Sequence, residues 1–323
     1  MLAAYAARLS AEDPLAGLEV GDQPEPEVPD GWTTVSVRAA AVNHHDLWSL
    51  RGVGLSVEQL PMILGCDAAG VDSSGRAVIV HAVIGDPAAG GGDETLDPAR
   101  TLLSELYPGT FAERVAIPRR NLITTPAELS FAEAACLPTA WLTAYRMLVT
   151  KGELSAGGSV LVQGAGGGVA TAAIVLAVAL GARVYATCRN EGKRARAAQL
   201  GATVVPTGAR LPELVDLVIE TVGVATFDHS LKCLRPGGQV VVSGATSGHA
   251  AAIDLRRVFF RQLSVVGSTM GTCQELAELV ELCVRLGLRP QIDSEYALGD
   301  ARAAFTRLAS GEAFGKVVLR TAD

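Results

Sequence analysis

The sequence predicts an α/β protein in which a β-rich half is joined to a doubly wound parallel sheet. Residues 1 to 125 mix short β-rich pieces with Pro- and Gly-rich turns, and from Leu129 onward apolar strands alternate strictly with helices. Alternation of that kind means parallel strands whose crossover helices cover both faces of one sheet, whereas short strands between turn clusters suit a partly open β-barrel. Size agrees: 323 residues exceed the usual single core, and 49% hydrophobic against 19% charged residues leave enough apolar surface for two.

In the first half, strands are expected at Thr33 to Val42, Arg76 to Val83 and Phe111 to Ile117, separated by turns such as "GDQPEPEVPDGW". The long connection "AGGGDETLDPARTLLSELYPG" has the length of a functional or interface loop. "SFAEAACLPTAWLTAYRMLV" is helical with a break at Pro138. Then come strands at Ser159 to Gln163, Arg183 to Thr187, Thr203 to Val205, Leu214 to Glu220, Gln239 to Ser243 and Leu263 to Gly267. Helices fall between and after them, at Val169 to Leu180, Lys193 to Leu200, Phe227 to Leu234 and Gln274 to Leu286. The last strand, Lys316 to Arg320, has no partner in the doubly wound half, so it is expected to return to the first. The division drawn from this is residues 1–125 with 275–323, and 126–274.

A formal charge of -7 with no block of like charge argues against nucleic acid or an anionic membrane as partner and favours a small molecule. The longest apolar run, Val169 to Leu180, is too short to span a membrane, and "MLAAYAARLSAEDP" lacks the charged start and apolar core of a signal peptide; a cytoplasmic protein is expected. Six cysteines lie far apart with no Cys-x-x-Cys, which fits reduced thiols better than disulfides or a structural zinc knot.

"SVLVQGAGGGVATAAIVLAVALGARVYATC" has the order of a dinucleotide site: buried strand, glycine turn, helix opening at the turn, second strand. The literal G-x-G-x-x-G fails at Val169, but counting in threes gives Gly164, Gly167 and Ala170, with Ala165, Gly168 and Val169 completing the turn. Glycine permits the tight turn and close approach to a diphosphate, and a small third residue lets helix and strand pack closely. The second strand ends "ATCRN", with no acid to hold a ribose 2'-hydroxyl. Arg189 follows Cys188 there and Lys193 stands one turn on, so the cofactor expected is NADPH; Arg194 reads as a solvated helix face.

Together the stretches "AAVNHHDLWSLRG", "LPMILGCDAAGV", "GTFAERVAIP", "LSFAEAACLPTAWLTAYRML", "LRPGGQVVVSGATSG" and "FGKVVL", with the glycine segment, resemble the medium-chain dehydrogenase/reductase superfamily, in particular its zinc-independent quinone-oxidoreductase-like branch. The resemblance implies a GroES-like barrel built from both chain ends, a Rossmann domain between them, an active site in the cleft, and a homodimer or homotetramer. Zinc-dependent relatives place a Cys where this chain has Asn43 and a His-Glu pair where it has Cys66-Asp67, and they carry a four-cysteine lobe for which residues 85 to 110 offer none. No metal is expected, with Cys66, Asp67 and His44 or His45 as the minor alternative.

A nicotinamide hydride needs an electrophilic carbon, and without a metal the charge that develops on oxygen suits a conjugated acceptor. The expected activity is therefore NADPH-dependent hydride transfer to a quinone or an α,β-unsaturated carbonyl. Alternatives are a zinc-free alcohol dehydrogenase, a secondary-metabolite tailoring reductase, or a nucleotide-binding scaffold without turnover. The resemblance puts Asn43 near nicotinamide and substrate, unless it only fixes its loop, and gives His44 the place of an aromatic residue that reaches the substrate, where imidazole can donate. His45 is expected in packing or solvent, and Asp46 as a helix N-cap. Thr139 and Thr143 resemble the helix flanking the nicotinamide, Gly244, Ala245 and Thr246 follow a strand's carboxyl end, and Phe314, Gly315 and Lys316 resemble the segment that touches the cofactor from the barrel side.

Overall fold

The structure, a computed structural model, describes residues 1–321. The chain divides into two compact units, Met1–Ala140 with Gly271–Asp323, and Trp141–Met270. In the first unit the strands are β1 (Leu2–Ala6), β2 (Leu18–Asp22), β3 (Trp32–Val42), β4 (Met62–Ile63), β5 (Asp67–Asp72), β6 (Ala77–Val80), β7 (Val83–Ile84), β8 (Thr101–Leu102), β9 (Arg114–Pro118), β10 (Leu122–Thr124), β17 (Ile292–Ala297) and β18 (Lys316–Arg320). Its helices are α1 (His44–Leu50), α2 (Phe131–Ala135), α8 (Cys273–Leu286) and α9 (Ala301–Ala309). The main sheet runs β10-β6-β5-β3-β18-β17 with β9 also on β3, beside a smaller sheet β2-β1-β4. The first boundary lies beyond 125/126 because α2 lays its buried Ala132, Ala134 and Ala135 against β3 and β5; the second falls at 270/271 rather than 274/275.

β18 does return to the first unit, antiparallel to β3 and parallel to β17. Its register sets Val317 opposite Val42, while on the other side of β3 Asp67 stands opposite Ala41. The starts of β5 and β18 therefore flank the end of β3, where "NHHD" begins. The core beneath includes Val35, Val37, Leu47, Leu50, Val317 and Leu319, with Phe111 and Phe305 edge to face at 5.9 Å.

Several local expectations are corrected. The strand expected over Arg76 to Val83 is split into β6 and β7, because the Asn121 side chain donates to both His81 O and Val83 O and interrupts the ladder. The strand expected from Phe111 begins at Arg114. Around Pro138 the chain stays helical but widens into a π-helical turn at Leu137–Trp141, as the missing N–H of proline would favour. Asp46 is not the N-cap of α1: Asn43 is, and Asp46 at the third helical position accepts the Asn43 N–H at 2.7 Å.

The loop after β7 is held by carboxylates that take backbone N–H groups, and Glu94 accepts the Cys273 N–H at the start of α8 at 2.6 Å. Glu94 also faces the ring of His81 at 3.3 Å. His81 is fully buried, and that burial lowers its pKa to about 4. A depressed histidine contributes stability that is complete above 6.5 and lost as pH falls toward 4. Urea unfolding at pH 7.5 and pH 5 should therefore show a loss of about 2 kcal/mol that His81→Gln largely removes. An equal loss in both proteins would assign the acid sensitivity elsewhere.

The second unit holds β11 (Ser159–Val162), β12 (Arg183–Thr187), β13 (Thr203–Val205), β14 (Val215–Glu220), β15 (Leu234–Val242) and β16 (Ser264–Gly267). Its helices are α3 (Leu142–Tyr145), α4 (Gly168–Ala179), α5 (Glu191–Gln199), α6 (Phe227–Cys233) and α7 (Leu255–Arg261). All six strands are parallel, in the order β13-β12-β11-β14-β15-β16. The winding reverses between β11 and β14, and in such sheets the crevice for a ligand opens at the carboxyl ends flanking that point. Most elements lie within two residues of expectation; β15 starts earlier, at Leu234 rather than Gln239.

Candidate functional site

The glycine turn sits between β11 and α4, on one side of the switch point. Gly164 has φ +72° and Gly166 φ +132°, where a side chain is strained, and Gly167 is the N-cap of α4. A Cβ at Gly164 would come within 2.8 Å of Val222, whereas one at Gly167 would meet nothing within 4 Å, so the open face of the turn is at Gly167. Behind it Ala165 N donates to Thr187 O at 2.7 Å, and buried Ala170 packs into the unit. Gly168 and Val169 open α4, whose first-turn N–H groups have no helical partner and suit an anion.

Cys188 is buried at the end of β12 and Arg189 beyond it is exposed. Asn190 caps α5 by accepting Lys193 N at 3.0 Å, and the Lys193 side chain lies across Gly166, whose Cβ would be 2.9 Å from Lys193 Cδ. Arg194 corrects its expectation: half-buried, it reaches back toward the carbonyls of Cys188 and Arg189 at 3.5 and 3.4 Å. On the far lip Gly244, Ala245 and Thr246 follow β15, with Thr246 N bonded to Thr221 O. Gly166 escaped the count in threes; the unbroken "GGG" was its only signal. An open glycine turn, a helix N-terminus and two cationic side chains beside β12 fit a dinucleotide that carries an extra phosphate.

In the first unit the residues of "NHHD" separate by direction. Lys316, 3% exposed, places Nζ 2.6 Å from Asn43 Oδ1, 3.0 Å from Val42 O and 3.1 Å from Asp67 Oδ2. All three ammonium N–H groups are thus engaged, and Lys316 has none left for a cofactor, contrary to expectation. Asn43 is likewise turned inward, its amide donating to Ala41 O at 3.1 Å and Asp67 Oδ2 at 2.9 Å, which leaves neither amide N–H for a substrate and agrees with the loop-fixing alternative. Phe314, in the segment expected to touch the cofactor from the barrel side, is buried in the core with its N–H on Asp293. Thr139 keeps a hydroxyl oxygen buried without a hydrogen-bond partner, while Thr143 is buried on α3.

His44, the first residue of α1, is exposed. The protein mass around its ring, together with the charges of Lys316 and Arg51, lowers its pKa below 6.5, so the ring is neutral at pH 7 and carries one N–H. His45 is neither free in solvent nor simply packed: Nε2 is 3.0 Å from Glu105 and Nδ1 3.5 Å from Cys66. Burial opposes charge on His45, but Cys66, Glu105 and Asp46 outweigh it and hold the ring's pKa well above 6.5. Burial pushes the Asp46 carboxyl up to about 6, although His45 and the Asn43 N–H pull it down.

These two units make a two-domain, dinucleotide-type oxidoreductase architecture, and comparison with known proteins supplies the family. Residues 29–127 match a family model described as an alcohol dehydrogenase GroES-like domain, and residues 168–285 one described as a zinc-binding dehydrogenase. A solved structure described as an NAD-dependent alcohol dehydrogenase is 33% identical with a TM-score of 0.91, over 100% of both chains. Acryloyl-coenzyme A reductase of Metallosphaera sedula is 27% identical, over 94% of this chain and 97% of its own. Quinone oxidoreductase of Pongo abelii is 28% identical, over 90% of this chain and 89% of its own. The chain belongs to the medium-chain dehydrogenase/reductase superfamily of oxidoreductases.

Zinc, which the second family model's description implies, does not fit positions 43, 66 and 67. Asn43 and Asp67 converge on the Lys316 ammonium, so a metal there would meet a positive charge already in place. Among the described residues a different set, His45, Asp46 and Cys66, brings ligand-type atoms within 4.8 Å of one another. There the Cys66 thiol donates to Leu103 O at 3.3 Å, and burial pushes it toward the protonated form.

Proposed function

We propose that this chain is an NADPH-dependent reductase that delivers hydride, without zinc, to an α,β-unsaturated carbonyl or a quinone. The reading rests on the Lys316 ammonium held between Asn43 and Asp67, since a metal sharing those two side chains would meet a positive charge. With no Lewis acid at that position, the favoured acceptors are those whose conjugation spreads the negative charge arriving with hydride. Acryloyl-coenzyme A reductase and quinone oxidoreductase among the relatives support that class of acceptor.

Bound NADPH supplies the hydride. The chain's part begins at the glycine turn, where first-turn N–H groups of α4 hold the diphosphate and Gly167 lets it approach. Arg189 and Lys193 take the 2'-phosphate at the end of β12, where an acid would instead select NAD. His44 acts as a neutral hydrogen-bond donor to the substrate oxygen and not as an imidazolium acid, because its pKa lies below 6.5. The expected dimer or tetramer finds support in Leu255, Phe259 and Phe260, exposed together on α7.

His44→Phe should lower turnover with the best acceptor by about tenfold or more and leave the Kd for NADPH unchanged. Unchanged turnover would make His44 only a wall of the site. No helix among the described residues is long and apolar enough to cross a membrane.

A further inference from the structure

Beneath the glycine turn a run of buried side chains remains that the hydride chemistry does not use. Gly164 N lies 3.1 Å from Thr187 Oγ1, which lies 2.6 Å from Gln163 Oε1. Gln163 Nε2 is 2.9 Å from His229 Nδ1 and 3.0 Å from Ser230 Oγ. Ser230 Oγ is 2.6 Å from Glu220 Oε2, and His229 Nε2 is 2.8 Å from Ala209 O. Thr187, Gln163, Ser230 and Glu220 are all fully buried. Glu220 also receives Val222 N at 2.7 Å, Gly223 N at 3.0 Å and the Thr226 hydroxyl at 2.9 Å.

The chemistry of the two ends fixes every proton between them. Gly164 N–H can only donate, and each neighbour of Glu220 is a donor, so Glu220 acts as an acceptor-only carboxylate. Ser230 must then donate to Glu220 and accept from the Gln163 amide nitrogen. Gln163 Oε1 is left to accept from the Thr187 hydroxyl, whose lone pair accepts Gly164 N–H. Ala209 O can only accept, so His229 carries its proton on Nε2 and accepts from Gln163 at Nδ1. The relay runs one way, from the glycine turn to the Glu220 charge.

Glu220 thus holds both lips of the switch point. Through the relay it reaches Gly164 at the end of β11, and directly it fixes Val222 and Gly223 after β14. The lips lie close together, since a Cβ added at Gly164 would come within 2.8 Å of Val222 Cγ2. We propose that Glu220 is a positioning residue for the dinucleotide: its carboxylate sets the direction of the relay and so holds both loops in the form that receives the diphosphate. This rests on the cofactor reading given above.

Glu220→Gln keeps the shape but turns one acceptor atom into a donor. With that amide facing Ser230, the predicted reversal has the Ser230 hydroxyl donating to Gln163, the Gln163 amide turned over and the His229 proton on Nδ1, which leaves Nε2 to accept from the Cys233 thiol 3.3 Å away. Nitrogen-15 NMR of the imidazoles, with His229→Asn to assign the signal, should show the Nε2–H tautomer in the wild type and the Nδ1–H tautomer in Glu220→Gln. Titration should show the Kd for NADPH raised about tenfold in the same variant, the effect of one displaced hydrogen-bonded loop. An unmoved tautomer or an unmoved Kd overturns the proposal. If Glu220→Gln does not fold, Thr187→Val against Thr187→Ser decides it: the Kd should rise in the first and be restored in the second, and equal values refute the relay. A wild type that binds no NADPH would defeat the cofactor reading and with it the positioning role, whereas the tautomer tests the relay by itself.

Discussion

Replacing Lys316 by Met should destabilise the first unit by about 3–5 kcal/mol, the loss typical when one partner of a buried ion pair is removed. The ammonium is nearly inaccessible and Asp67 fully so, and Asp67 Oδ1 already lacks a hydrogen-bond partner. Without the ammonium, Asp67 keeps only the Asn43 amide on its other oxygen. The cost is the stranded carboxylate more than the missing attraction, so Lys316→Met with Asp67→Asn should recover much of the loss. Chemical denaturation of the three proteins measures this. A single variant within about 1 kcal/mol of wild type would place Lys316 among surface lysines and remove the reason for excluding the metal.

Arg189→Ala should weaken NADPH by about 1.5–3 kcal/mol, roughly 10- to 150-fold in Kd, because a guanidinium–phosphate contact is a charge-assisted hydrogen bond. NADH lacks that phosphate and should change little. Lys193→Ala should act less selectively, since its stem also lies across Gly166. Equal weakening of both nucleotides by Arg189→Ala would show that the residue does not read the phosphate.

The doubly wound half was legible because buried parallel strands are short apolar runs, and "VLVQG" or "VDLVIE" between helices admits few other readings. The Lys316 clamp was not, because residues 43, 67 and 316 are adjacent only through the registers of β18 and β5 on β3. Asn43 followed three residues later by Asp46 is itself a capping signal, and Asp46 alone in front of an apolar run concealed it. The packing or solvent expected for His45 missed its polar contacts because its partners, Cys66 and Glu105, lie on other segments. Glu220 read as the plain end of a strand; only the helix carrying His229 and Ser230 reveals what it anchors.

Hydride transfer from NADPH to a conjugated acceptor without a metal can be followed through nicotinamide absorbance with metal-stripped protein, NADPH or NADH, and matched acceptors: an enoyl thioester, an enone, a quinone and a saturated ketone, each with and without added Zn2+. NADPH-selective oxidation with the conjugated acceptors, unaffected by Zn2+ and absent with the saturated ketone, is the predicted result. Activity that appears only with Zn2+, or that favours the saturated ketone, would contradict it.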